Sequence, residues 1–169
     1  MPDIFEIKAA TAQDVPLILS FIKELAGYEK LLHEVVATED ILKETLFGGQ
    51  GYAEVILGYL NQAPVSFALY FHNFSTFLGR PGIYLEDLFV KLEARGKGIG
   101  QKMLAYLAFL AKSRKCGRLE WGVLDWNETA IGFYKRIGAK AMDEWTVYRV
   151  TDQSLDNLAA SWESDTIIY

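Results

Sequence analysis

Tyr84-Leu85-Glu86-Asp87-Leu88-Phe89-Val90 leads through Lys91-Leu92-Glu93-Ala94 into Arg95-Gly96-Lys97-Gly98-Ile99-Gly100, and a long apolar-periodic run comes after it. Apolar residues and two carboxylates in one short run predict a strand that carries chemistry at one end. A glycine-rich turn with two cations comes next. Ile99, Met103, Tyr106, Leu107, Leu110 and Ala111 then recur at the spacing of a helix face. A helix that opens directly out of a glycine turn makes an anion site. Its first N–H groups have no partner within the helix, and its dipole favours negative charge there. Glycine lets that backbone approach phosphate oxygens with no Cβ in the way.

Spacing chooses among phosphate loops. No glycine-lysine pair here is followed by Ser or Thr, so the loop is not G-x-x-x-x-G-K-[ST]. The dinucleotide pattern G-x-G-x-x-G finds Gly96 and Gly98, but Gln101 stands where its third glycine belongs. What fits is Arg95-x-x-Gly98-x-Gly100 after a strand ending Leu88-Phe89-Val90. This resembles the acetyl-CoA diphosphate loop of the GNAT superfamily of N-acetyltransferases. A second stretch, Val123 through Ala139, is similar to the other half of such a site. There Asn127 is placed to cap a helix, Glu128 sits in its first turn, Phe133-Tyr134 comes next, and Gly138 falls where a terminating glycine belongs. Tyr84-Leu85-Glu86-Asp87, Glu24 through Leu31, and Asn127 through Ala139 narrow the resemblance to the diamine acetyltransferase branch. The likeness runs from about Phe5 to Val150.

The composition agrees with that reading. The 169 residues, 51% hydrophobic and 23% charged, suit one globular domain, with a core over 4–150 and a tail over 151–169. Apolar runs break well short of a membrane span, and the first residues have neither a basic n-region nor an apolar h-region. Cys116 is the one cysteine, which excludes an intrachain disulfide and fits a reducing cytoplasm. A net charge of −5 argues against a nucleic-acid partner and suits a cationic substrate. His33 and His72 stand apart from any metal-ligand spacing, and no G-x-S-x-G occurs, so neither a metal nor a serine nucleophile is expected.

In chain order, Ile4 to Lys8 predicts a first strand. A helix then runs from near Asp14 to about Gly27, with Thr11 or Asp14 as cap and Val15, Ile18, Phe21, Ile22 and Leu25 as its buried stripe. Thr38 opens a second helix that Gly48-Gly49 ends. Strands over 51–60 and 64–74 flank Asn61-Gln62-Ala63, and 75–81 forms a loop before the central strand. Beyond the phosphate helix come a strand over 118–123, a helix over 127–137 and closing strands over 141–150. A short helix over 154–161 comes last, with Trp162 and Ile167-Ile168-Tyr169 expected to pack on the domain or on a second subunit. The order β-α-α-β-β-β-α-β-α-β-β is mixed α/β, a central twisted sheet flanked by helices, as in the GNAT fold.

Acetyl transfer to an amine requires removal of an ammonium proton, donors for the developing oxyanion, and a proton for the departing thiolate. The resemblance gives Tyr134 as that acid, since a phenol near pKa 10 can share a proton with a thiolate. It implies Glu86 as general base, through water, and as an anchor for the substrate ammonium, with Asp87 structural. On a regular strand the two would face opposite sides. Backbone of Leu88, Phe89 and Val90 would pair with the pantetheine arm of acetyl-CoA. Gly96, Lys97, Gly98, Ile99, Gly100 and Gln101 would cradle its diphosphate, with charge from Arg95 or Lys97, the latter reading more readily as a solvated cation. Asn127, Glu128, Thr129 and Ala130 would touch the cofactor's far side. The amine site would draw on Tyr28, Glu29, Glu86, Glu120, Trp121, Gly122 and Glu144. The implied reaction is direct transfer to a small primary amine (a diamine, polyamine or lysine-like amino acid) by a homodimer. Two alternatives stay open: a protein or peptide amine as acceptor, and a non-catalytic acyl-CoA-binding module.

Overall fold

The computed structural model describes residues 2–162. The chain divides into two compact units, one ending at Gly122 and the other beginning at Val123.

The first unit opens with β1 (Phe5–Ala9), then α1 (Val15–Tyr28) and α2 (Glu39–Phe47). Strands β2 (Glu54–Leu60), β3 (Ala63–Ser75) and β4 (Arg80–Val90) come next, then α3 (Ile99–Ser113) and the short β5 (Leu119–Trp121). The strands lie side by side in sequence order, antiparallel except for the parallel pair β4/β5. Mixed α/β architecture is therefore as the patterning predicts. The hairpin loop is shorter than expected, because β3 runs on through Ser75 and β4 starts at Arg80, leaving only 76–79 between them. There the Leu78 N–H donates to Ser75 Oγ.

Local signals account for the helices. Thr11 and Asp14 act together before α1: the Thr11 N–H and Oγ1 both donate to the Asp14 carboxylate, at 2.7 and 2.9 Å. Thr38 Oγ1 accepts from the Ile41 N–H at the start of α2. The expected stripe of α1 is buried at Val15, Ile18 and Phe21, which pack with Val55, Leu57, Phe67 and Phe89 of the sheet. Phe21 stacks on Phe67 with ring centres 5.4 Å apart. Each such side chain contributes roughly 1.5–3 kcal/mol by leaving water, so this aromatic seam anchors α1 to β3 and β4. The opposite face takes α3, with Ile99, Met103, Leu104 and Leu107 buried. Its far end is clamped by Arg114, whose Nη1 and Nη2 both donate to Glu54, the latter at 2.8 Å. Tyr70 Oη donates to the same carboxylate, and burial beside it pushes the Tyr70 phenol up to about 12.

Two irregularities of β4 shape the functional face of the sheet. Its ladder with β3 shifts register: Leu69 faces Asp87 but Tyr70 faces Leu85, so Glu86 is an extra residue with no opposite number. Its ladder with β5 stops at Leu85/Trp121. From Glu86 onward, that edge of β4 has no strand beside it among the described residues.

The second unit holds α4 (Glu128–Arg136) and α5 (Asp152–Ala160). The closing strands expected over 141–150 do not form. The Trp145 N–H donates to the Met142 carbonyl, a turn inside the segment, and Val147 and Tyr148 are 89% and 92% exposed. Alternating apolar residues give a segment the capacity to pair, but a strand exists only where a neighbour supplies the ladder. The tail helix starts and ends slightly earlier than expected, and Ile167-Ile168-Tyr169 lie outside the described residues.

Candidate active site

The turn between β4 and α3 is built from backbone. Gly96 and Gly98 have φ of 78° and 72°, the left-handed region that favours glycine, and a Cβ on either would meet no protein atom within 4 Å. Packing therefore does not call for glycine here, whereas the backbone conformation does, and the space beside it is open. Among the described residues, the N–H groups from Gly96 to Gln101 donate to no backbone or side-chain acceptor. The first bond of the region is Lys102 N–H to the Gly98 carbonyl. Consecutive unpaired amides at a helix start form a concavity for an anion.

The loop's two cations are both engaged. Lys97 Nζ lies 3.2 Å from Asp3, whose other oxygen accepts from the Asn61 side chain, and these two contacts hold the Asp3 carboxyl below its usual range. Arg95 is exposed but has partners on the protein. Its Nε donates to the Val90 carbonyl at 2.9 Å, and its guanidinium lies over the Tyr28 ring at 4.4 Å and the Phe89 ring at 5.7 Å. Asp3 and Asn61 carry no motif, so nothing in the sequence ties them to the loop.

On the strand leading into that turn, Leu88, Phe89 and Val90 border the unaccompanied edge of β4. Glu86 is exposed at the bulge. Asp87 shares a sheet face with Leu69, its partner across the ladder, and is half-buried. Burial first, then the charges of Glu86 and Glu29, push the Asp87 carboxyl up to about 6. Burial also raises Glu29. The sequence reading makes Asp87 structural. Burial beside two neighbouring acids, which raises this carboxyl, makes it in addition a candidate for proton exchange. Its sequence signal was an acid inside an apolar run, next to a second acid.

Tyr28 and Glu29 end α1, fixed by a backbone cap in which the Leu31 N–H donates to the Ala26 carbonyl at 2.8 Å and the Lys30 N–H to that of Gly27. Tyr28 and Phe89 line a cavity of about 380 Å³ together with Glu24, Gly27, Leu92 and Glu93. Trp121 sits opposite Leu85 at the end of the parallel ladder, and a Cβ on Gly122 would lie 3.7 Å from Tyr84 Oη. Glu120 is committed: Arg118 Nε lies 2.6 Å from its carboxylate, and Asn73 donates to the same oxygen at 3.0 Å.

In the second unit, Asn127 Oδ1 accepts from the Ala130 N–H at 3.2 Å, so the cap forms as expected and uses that amide. Glu128 and Thr129 make the first turn. Tyr134 lies near the end of α4, its ring centre 5.5 Å from that of Phe133. Gly138, with φ of 89°, ends the helix, and the Ala139 N–H donates to the Tyr134 carbonyl at 3.0 Å. Glu144 is exposed within the unpaired segment. No group of three or more potential metal ligands occurs among the described residues, and none of their helices is long and apolar enough to cross a membrane.

Known proteins are similar to this chain in sequence and fold. The model of the Acetyltransferase (GNAT) family matches residues 23–139. A thialysine N-epsilon-acetyltransferase of Bos taurus is 37% identical over 164 residues, covering 90% of this chain and 96% of that protein. An L-ornithine N5-acetyltransferase of Arabidopsis thaliana is 31% identical, covering 88% and 85%. Among solved structures, an integron cassette protein from the mobile metagenome of V. cholerae superposes with a TM-score of 0.78 at 33% identity, over 93% of this chain and 98% of that one.

The raised Asp87 carboxyl makes a prediction about stability. A carboxyl held at about 6 in the folded protein against 3.8 in the unfolded chain favours folding in its protonated form. Its contribution is lost as pH rises from about 4 to about 6. Asp87→Asn is expected to stabilise the protein by about 2–3 kcal/mol at pH 8 and by little at pH 4, read from urea unfolding at both. An equal gain at the two values would show that the charge is not the cause.

Proposed function

The chain belongs to the GNAT acetyltransferase family, and from that premise we propose that it transfers an acetyl group from acetyl-CoA directly to a small primary amine. The observation that carries this reading is one continuous backbone feature. The unaccompanied edge of β4 at Leu88–Val90 leads within a few residues into the unpaired amides of Gly96 to Gln101. An extended arm with amide groups fits the first part, and a diphosphate fits the second. Coenzyme A joins those two chemistries in that order. Its acetylated form, when bound, supplies an activated thioester.

The residues then divide the work. Leu88 to Val90 orient the arm by backbone hydrogen bonds, and an N–H of this edge polarises the carbonyl. Gly96 to Gln101 hold the diphosphate, with Lys97 available if it leaves Asp3. Glu86 takes the ammonium proton, through water. Asp87 shares that task, because a carboxyl near 6 is matched to proton transfer at neutral pH. Tyr134 protonates the leaving thiolate, and Asn127, Glu128 and Thr129 face the cofactor. Tyr28 and Glu29 form the amine wall with Trp121 and Gly122. Glu120 serves through its charge only if it gives up Arg118.

The acceptor is a diamine, polyamine or lysine-like amino acid. The named activities of relatives from cattle and Arabidopsis, both acting on amino acids that carry a second amine, support that class. We also read the protein as a single-domain cytoplasmic homodimer with no nucleic-acid, membrane or metal partner, on family resemblance and a net charge of −5.

An amine panel with acetyl-CoA, read by free thiol release, should show turnover on diamines or lysine-like amino acids. Turnover on peptides alone, or tight cofactor binding with no transfer, would overturn the assignment. Gly98→Val should weaken acetyl-CoA binding at least tenfold by calorimetry, because a branched residue resists φ of 72° and fills the open space. Tyr134→Phe should lower kcat at least tenfold at nearly constant cofactor affinity. A rate within about twofold of the parent would remove Tyr134 as the acid.

A further inference from the structure

We infer that Arg118 and Glu120 together bind the far end of the acceptor, which makes Arg118 a specificity-determining residue that selects a diamino acid over a diamine. This deepens the acetyl-transfer reading and rests on it. The two side chains stand on one face of the sheet. Glu120 lies beside Tyr84 across the parallel ladder, and Tyr84 pairs with Phe71 across the antiparallel one, ring centres 5.2 Å apart. Next along that face come Arg118, Gly82 and Asn73. A Cβ on Gly82 would collide with Asn73 Oδ1 and come within 2.9 Å of Arg118 Cγ, so glycine makes the room in which the Arg118 stem lies across β4.

The charges of this group are only half used. Glu120 Oε1 takes both Arg118 Nε, at 2.6 Å, and the Asn73 amide, at 3.0 Å. Among the described residues, Oε2 has no partner, Arg118 has no second carboxylate, and Tyr84 Oη makes no hydrogen bond. Both ionic side chains are partly exposed, so a ligand can reach them. Paired, they offer no net charge but a dipole with one free acceptor and free guanidinium donors. A lone distal ammonium gains Oε2 and meets the guanidinium beside it. An α-amino acid head satisfies both partners: its ammonium goes to Oε2 and Tyr84 Oη, and its carboxylate to the terminal nitrogens of Arg118. Asp87 lies on the same sheet face as Tyr84, and at the rise of a strand the acids of the reacting end stand roughly 6–10 Å from this pair. That span matches the two amino groups of an extended ornithine or lysine.

The test matches each amino acid to the diamine left by removing its carboxylate: lysine to cadaverine, ornithine to putrescine. In the better pair the parent should favour the amino acid at least about tenfold in kcat/KM, since donors left unpaired penalise the ligand that lacks the acceptor. Arg118→Gln should remove that preference, with diamine turnover and the calorimetric Kd for coenzyme A each within about threefold of the parent. Lysine methyl ester should fare with the parent as lysine does with the variant, and Arg118→Lys should recover part of the loss. A parent that prefers the diamine would overturn the assignment. Equal losses on both members of a pair would also overturn it, leaving Arg118 as a mere support for Glu120. If the parent transfers acetyl to no amine, the acetyl-transfer reading fails on its own, and calorimetric binding of lysine and ornithine decides. Binding weakened by Arg118→Gln would sustain the pair, and binding that is absent or unchanged would remove it.

Discussion

A single strand has to satisfy two demands. Along one edge β4 is paired with β3 from Arg80 to Val90, which fixes it in the sheet and buries Ile83, Leu85 and Phe89. Along the other it is paired with β5 for three residues and then released. A buried strand cannot leave its N–H and C=O groups unmatched without cost, so a free edge persists only where solvent or a ligand reaches it. The bulge at Glu86 sits where the pairing ends. It moves Ile83 and Leu85 onto the sheet face of Tyr70 and His72, while Asp87 and Phe89 stay on the face of Leu69 and Phe67. The strand can thus feed one helix layer before the bulge and the other after it, with two carboxylates at the crossover.

That crossover sets the electrostatics. Asp87 is half-buried beside two acids, Glu86 and Glu29, and the charges that move its titration include no cation. Such an arrangement opposes folding at neutral pH. On the reading proposed above a protonated amine would offset that cost on the acid side, while a few residues further along the chain the unpaired amides of the turn favour an anion. The two sites carry opposite polarity on one continuous segment. Arg95, between them in sequence, is committed to Tyr28 and the Val90 carbonyl and leaves the acids uncompensated.

Much of this was legible in the amino-acid sequence, for a physical reason. Glycines at 96 and 98, the cap at Asn127 and the terminating Gly138 are local requirements of backbone geometry, and each was met where expected. The stripe of α1 was equally plain, since Val15, Ile18 and Phe21 keep the helical period. What could not be read depends on partners distant in sequence. The bulge at Glu86 arises from register with β3, so the regular alternation assumed for Glu86 and Asp87 does not hold. The pairing of Lys97 with Asp3 joins residues separated by most of the first unit, and Asp3 belongs to no pattern. Strands over 141–150 failed for the complementary reason: their residues alternate suitably, but alternation does not name a neighbour.

Backbone capping contributes more to the candidate site than its modest energy suggests. α1 and α4 end in the same way, with crossed N–H bonds to the last turn and a following residue in the left-handed region. At α4 that residue is Gly138, which adopts it freely. At α1 it is Lys30, with φ of 62°, where a side chain costs about 1 kcal/mol. A helix could avoid this cost by fraying one turn earlier, but it would then release Tyr28 and Glu29. The seam of Phe21, Phe67 and Phe89 prevents that release by holding α1 along its length. Local strain at Lys30 is therefore carried by packing elsewhere, as is usual where a chain must hold particular side chains at a helix end. In this protein the residues so held are the ring that Arg95 covers and the acid beside it.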